Sequence, residues 1–293
     1  MSLPGKLIYF LLKCGFLKRA ENLSVDQERK FFDDLGKSQP LPSGIKVEKL
    51  TIAGLPAESL DVVGSGNKTI LYLHGGAYNF GSCESHRPLA AWIAKILQMR
   101  LILLEYRRAP ESPFPAAVED TVSAYQWLLD NKNSPQNIIF IGDSAGGGLA
   151  VAAALALRDK KLPLPDALVC LSPWVDLKHT GESITGKARE DVLLTLETLQ
   201  KTAARYAGPH PYENPLISPV YADLSGLPRM LIQVGDKEIL LSDSTRLAEQ
   251  AQQAGGEVKL EIWPGMWHVW HYLSRFLPEG KQAIRSIKDW LNN

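Results

Sequence analysis

The chain has 293 residues, 45% of them hydrophobic and 22% charged, which excludes a disordered or fibrous protein and allows a large buried core. Lys+Arg and Asp+Glu balance at 32 each, so no net field would gather the protein on nucleic acid or anionic lipid. Cys14, Cys83 and Cys170 are spaced for neither a disulfide framework nor a cysteine zinc site and read as free thiols in a reducing compartment.

At the N-terminus, the apolar run Leu7–Leu12 is shorter than a secretory core. It is followed by Lys13 and Phe16-Leu17-Lys18-Arg19 instead of a small-residue cleavage site. No stretch approaches the roughly 18 apolar residues of a membrane span. The expectation is a cytoplasmic protein without integral membrane association. Residues 1–36 predict two helices, the second opened by Ser24 with Gln27 three residues on, the spacing of a capping box. Beyond a Pro/Gly/Ser stretch, Lys46–Ile52 and Ala57–Val63 alternate in polarity and predict a hairpin across Ala53-Gly54-Leu55-Pro56.

Six short runs then have the continuous apolar character of buried parallel strands: Thr69–Leu73, Arg100–Glu105, Ile138–Ile141, Ala167–Leu171, Met230–Val234 and Val258–Ile262. Between and after them, Arg87–Leu97, Ala116–Leu129, Ala145–Asp159, Ser242–Ala254 and Gly280–Leu291 carry helical spacing. The alternation predicts an α/β fold, a mostly parallel sheet flanked by helices. The gap between Leu171 and Met230 is too long for a plain crossover and holds a helical pattern over Glu190–Ala207. Residues 176–215, with residues 1–40, are expected to form a helical cap on a catalytic domain spanning 41–293.

The strand Ile138–Ile141 runs into Gly142-Asp143-Ser144-Ala145-Gly146-Gly147 and then directly into a helical pattern. This is the context of a G-x-S-x-G nucleophile elbow, in which a strained turn lifts a serine hydroxyl above the sheet and small neighbours avoid backbone collisions. Upstream, Thr69–Leu73 ends in His74-Gly75-Gly76-Ala77, a loop suited to presenting backbone N–H groups. Gly75, Gly76 and Ala145 are the predicted oxyanion donors, and His74 is read as an anchor of its loop.

These residues resemble the bacterial hormone-sensitive-lipase-like carboxylesterases of the α/β-hydrolase superfamily. The likeness extends to Tyr106–Glu111, Phe114–Ala117, Leu171-Ser172-Pro173-Trp174, Ser218-Pro219 and Asp223–Pro228, and covers nearly the whole chain. It implies an eight-stranded sheet, a helical cap and hydrolysis of short- to medium-chain acyl esters. Ala77 stands where the family usually has a third glycine, and Arg108 where it usually has leucine.

Of six histidines, His268 follows the last predicted strand, where this fold places its general base. His271, three residues on, suggests zinc, but no third ligand at suitable spacing accompanies the pair. The register of the family's acid motif falls on Glu238, thirty residues before His268, with Asp236 as second choice. The order Ser144, Glu238, His268 is that of α/β hydrolases. The predicted site therefore needs neither cofactor nor metal, and Ser-His-Glu triads are chemically competent on this fold.

The expected partner is a small-molecule ester. Tyr78, Phe80, Trp267 and Trp270 are candidates to line its pocket. Lactone or amide hydrolysis would use the same machinery. A non-catalytic receptor, such as the gibberellin receptors that resemble this family, would lack the base that His268 supplies. The resemblance implies a homodimer, paired through an exposed edge strand such as Val258–Ile262.

Overall fold

The computed structural model of the chain describes residues 1–14 and 23–293. The segment Phe16-Leu17-Lys18-Arg19, used above in reading the N-terminus, lies outside these residues. Two helices, α1 (Leu3–Lys13) and α2 (Val25–Lys37), come first, and the capping box at Ser24 and Gln27 is formed. The hairpin pairs β1 (Ile45–Ile52) with β2 (Leu55–Val62). Its turn is tighter than expected, because Ala53 (φ 51°) and Gly54 (φ 82°) both adopt left-handed backbone and leave Leu55 opposite Ile52.

Strands and helices then alternate: β3 (Thr69–Leu73), α3 (Cys83–Leu97), β4 (Arg100–Leu104), α4 (Ala116–Asp130), β5 (Ile138–Asp143), α5 (Ala145–Asp159) and β6 (Ala167–Leu171). After a long insertion containing α6 (Ser183–Gly186) and α7 (Leu196–Ala207) come β7 (Arg229–Gly235), α8 (Leu241–Gln253), β8 (Val258–Trp263) and α9 (Pro278–Leu291). The described residues form one eight-stranded sheet in the order β1-β2-β4-β3-β5-β6-β7-β8, antiparallel among β1, β2 and β4 and parallel from β4 to β8.

The period-2 alternation of the strands divides the core. Ile70, Tyr72, Leu101, Leu103, Ile139 and Ile141 face α3 and α9, whereas Leu71, Leu73, Ile102, Leu104, Ile138 and Phe140 face α4, α5 and α8. The central helix α5 is buried from Ala145 through Leu157, which explains its Ala/Leu/Gly composition. Its first turn is glycine because no side chain fits: a Cβ on Gly146 would collide with the Leu73 carbonyl. The nucleophile strand and the loop after β3 are thereby pressed together.

Two helix starts differ from expectation by a full turn or more. Helix α3 begins at Cys83, four residues before Arg87, because Ser82 and Ser85 cap each other reciprocally. Helix α7 begins at Leu196 and not at Glu190, because Thr195 caps it and Asp191 captures the N–H groups of Leu193 and Leu194 in a separate turn.

Candidate active site

Parallel strands deliver their C-terminal ends to one edge of the sheet, and the site is assembled there. The end of β5 turns through Ser144, whose backbone (φ 53°, ψ −121°) is a strained conformation for a residue with a side chain. Neighbouring backbone holds it there. The Ser144 N–H donates to the Leu171 carbonyl at 2.8 Å, and its carbonyl accepts from the N–H of Trp174 at 2.9 Å and of Gly147 at 3.0 Å. Helix α5 starts at the next residue and directs its positive end toward the hydroxyl.

The loops after β7 and β8 meet beside the elbow. Lys237 N–H donates to the Met266 carbonyl at 3.0 Å, and Asp236 N–H to the Trp263 carbonyl at 3.2 Å. The structure brings Ser144, His268 and Glu238 into one hydrogen-bonded line: His268 Nε2 lies 2.9 Å from Ser144 Oγ, and its Nδ1 lies 2.7 Å from Glu238 Oε2. Glu238 is fully buried, and its other oxygen accepts from Ser172 Oγ at 2.8 Å and Gly235 N–H at 2.7 Å. Asp236 instead accepts the Gly265 N–H at 2.7 Å and shapes the base loop.

Burial alone pulls the His268 imidazole down. The adjacent carboxylate of Glu238, followed by Asp191 and Asp143, outweighs that effect and raises its pKa above the ordinary 6.5. His271 has the opposite balance: burial drives it to about 3. Its Nε2 pairs with Gln233 Oε1 at 2.9 Å, and its ring packs on Trp270. Among the described residues, no group of three or more His, Cys, Asp or Glu side chains is placed to hold a metal ion.

Gly75 requires a correction. Its N–H donates to Asp143 Oδ1 at 3.0 Å, so it faces the back of the elbow and is not free to meet an oxyanion. Among the described residues, the N–H groups of Gly76, Ala77 and Ala145 make no hydrogen bond. Gly76 (φ 111°), Ala77 (φ 51°) and Tyr78 (φ 61°) form a left-handed run that turns the loop away from the strand direction. His74 anchors this loop as expected, its ring stacked on Tyr106 and its carbonyl accepting the Tyr106 hydroxyl at 2.7 Å.

Three of the four aromatic candidates lie in the core. Trp267 and Trp270 are buried with Met266 and Leu277, and Tyr78 is stacked within the core on Tyr206, so these three are packing residues. Phe80 is partly exposed and stacks on Phe32 of α2 at 4.7 Å between centroids. Sequence reasoning missed several supporting residues. Ser172 directly follows β6, and the parallel order places that strand end between the elbow and the acid loop. Asp143, inside the elbow motif itself, accepts from the Tyr72 hydroxyl at 2.7 Å and lies 3.3 Å from His86 Nε2. Burial pushes its carboxyl up, but His86 and Tyr72 pull it below the ordinary value.

A family model for the alpha/beta hydrolase fold matches residues 70–272. An acetyl-hydrolase of Streptomyces hygroscopicus is 45% identical over 263 residues, 89% of this chain and 85% of that protein. An esterase of Acinetobacter venetianus is 36% identical over 270 residues, 92% and 89% of the two chains. Among solved structures, a hormone-sensitive lipase from a metagenome library superposes with a TM-score of 0.96 at 43% identity, covering 99% of this chain and 97% of the other. The esterase EstE5, soaked with p-nitrophenyl butyrate, gives 0.95 at 40% identity over 99% and 98%. The chain is an α/β hydrolase and belongs to the bacterial hormone-sensitive-lipase-like carboxylesterases. It is a carboxylic ester hydrolase. No helix among the described residues is long and apolar enough to cross a membrane.

Proposed function

We propose that the chain hydrolyses short- to medium-chain acyl esters by a two-step acyl transfer through Ser144, His268 and Glu238. The carrying observation is the line of two hydrogen bonds, 2.9 Å from Ser144 to His268 and 2.7 Å from His268 to Glu238. His268 Nε2 takes the Ser144 proton as Oγ bonds to the ester carbonyl carbon, and the oxyanion is received by the N–H groups of Gly76, Ala77 and Ala145. The tetrahedral intermediate collapses, and the leaving alkoxide takes the proton from His268 and departs as the alcohol. Water then attacks the acyl-serine with the same imidazole as base, releasing the carboxylic acid and restoring Ser144. Glu238 fixes the ring tautomer and stabilises the imidazolium.

The preference for short acyl groups draws support from the acetyl-hydrolase relative and from the p-nitrophenyl butyrate soaked into EstE5. The same reading assigns residues 1–40 and 176–215 to a cap over the 41–293 domain. Helix α2 supports this, since its Arg29 donates to the Asn79 and Ala109 carbonyls, each at 2.9 Å, beside the oxyanion loop. Hydrolysis of p-nitrophenyl esters from acetate to laurate tests the proposal, with p-nitroacetanilide as a matched amide. Activity peaking at the short end and lost in Ser144→Ala is expected. A folded Ser144→Ala enzyme that keeps more than a few per cent of wild-type turnover would contradict it.

A further inference from the structure

The insertion between β6 and β7 contains a half-buried carboxylate that the mechanism above does not use. Asp191 Oδ1 accepts the N–H groups of Leu193 at 2.9 Å and Leu194 at 2.8 Å. Its Oδ2 reaches across to the acid loop and accepts the N–H of Ile239 at 2.8 Å. Ile239 directly follows Glu238, whose Oε2 is 2.7 Å from His268 Nδ1. One side chain of the insertion thus grips the turn that carries the proposed catalytic acid.

We propose that Asp191 is a positioning residue for the reaction: it fixes the backbone beside Glu238 and adds a second negative charge to the surroundings of His268. The proposal rests on the Ser144–His268–Glu238 reading. Three donated N–H groups suit an acceptor-only carboxylate, since an amide at this position can accept on only one of its two arms. Because the His268 ring is buried, a charge acting on the imidazolium is weakly screened.

The charge at His268 has identifiable sources. Glu238 from the loop after β7, Asp191 from the insertion and Asp143 from the elbow all favour the protonated ring. His271, on the same segment, is held low by burial and by the like charge of His268, and so is neutral where His268 titrates. Besides His268, the ionisable group that senses Asp191 is Tyr9 of α1. Tyr9 also feels Glu190 and Asp236 and sits under the Lys237 ammonium. Burial raises the pKa of Asp191 itself against the pull of its backbone donors.

A side chain that only tied down a turn would change stability, or KM through the cap, and would leave the titration of His268 in place. The test is therefore Asp191→Asn beside Glu238→Gln, with active sites counted from the p-nitrophenyl acetate burst so that turnover refers to folded enzyme. Asp191→Asn is expected to lose at least about tenfold in kcat with KM changed less than twofold. The acid limb of its kcat/KM profile is expected to move to lower pH. Should Asp191→Asn fail to fold, Asp191→Glu, which retains the charge on a longer arm, must keep the acid limb in place while lowering kcat. An acid limb of folded Asp191→Asn at the wild-type position, or one displaced in Asp191→Glu, overturns the proposal. If Glu238→Gln retains wild-type turnover, the acid assignment fails instead, and the two failures are distinguished.

Discussion

Ser144 sits in a backbone conformation that costs about 1–3 kcal/mol for a residue with a side chain, and four backbone hydrogen bonds hold it there. The adjacent Asp143 performs a second task in the same motif by tying Tyr72, Gly75 and His86 together. Removing its carboxylate strands buried donors at about 1–3 kcal/mol each. Asp143→Ala is therefore expected to melt several degrees lower and to lose at least about tenfold in kcat as the oxyanion loop loosens. Thermal melting and initial rates check both. The general base also sets a pH limit. The His268 pKa is raised above 6.5, and the imidazole must be neutral to accept the serine proton. The acid limb of kcat/KM is accordingly expected at a midpoint above pH 6.5, with activity lost as the pH falls through it. A midpoint below 6.5 would contradict the carboxylate environment described.

Elements show which parts of the site are legible in a sequence. The elbow could be read because a strand, a serine between small residues and a helix occur without interruption, and each has a local signature. Glu238 is reached only through the family register, since Asp236 and Glu238 are both carboxylates after the same strand and only the fold reveals that Glu238 meets His268 and Asp236 meets Gly265. Gly75 was misread because the sequence gives the glycines of the loop but not the direction of each N–H, which the contact with Asp143 decides. The start of α7 was placed too early, since Asp191 and Thr195 interrupt an otherwise continuous helical pattern with local side-chain caps. The meeting of elbow and oxyanion loop gives an element-scale prediction. Gly146→Ala places a methyl against the Leu73 carbonyl and is expected to destabilise the fold by about 1–3 kcal/mol. Its kcat should fall further than that of a substitution at Gly186, where a Cβ meets nothing within 4 Å.

At the scale of the whole molecule, the parallel sheet brings together groups far apart in sequence. Ser144, Glu238 and His268 follow three different strands, and Ser172 joins them from a fourth. Alternation of strand and helix predicts such a sheet and the family resemblance implies eight strands, but strand order is a long-range property that only the fold reveals. The edge strand β8 is open, with Ile262 46% exposed. Unpaired edges of this kind template strand addition, and pairing of two copies through β8 is the assembly we propose. Light scattering is expected to give twice the chain mass, falling to that of a single chain in Ile262→Lys. A wild-type monomer would contradict this pairing without affecting the chemistry.

The most direct test of the Ser-His-Glu account compares p-nitrophenyl butyrate hydrolysis by wild type, Glu238→Ala and Asp236→Ala at matched folded concentrations. Glu238→Ala is expected to lose about 10³-fold or more in kcat, and Asp236→Ala less than about tenfold, since Asp236 shapes a loop and Glu238 supports the base. Collapse of activity in Asp236→Ala with Glu238→Ala near wild type would contradict the assignment of the acid and require the site to be rebuilt around the other carboxylate.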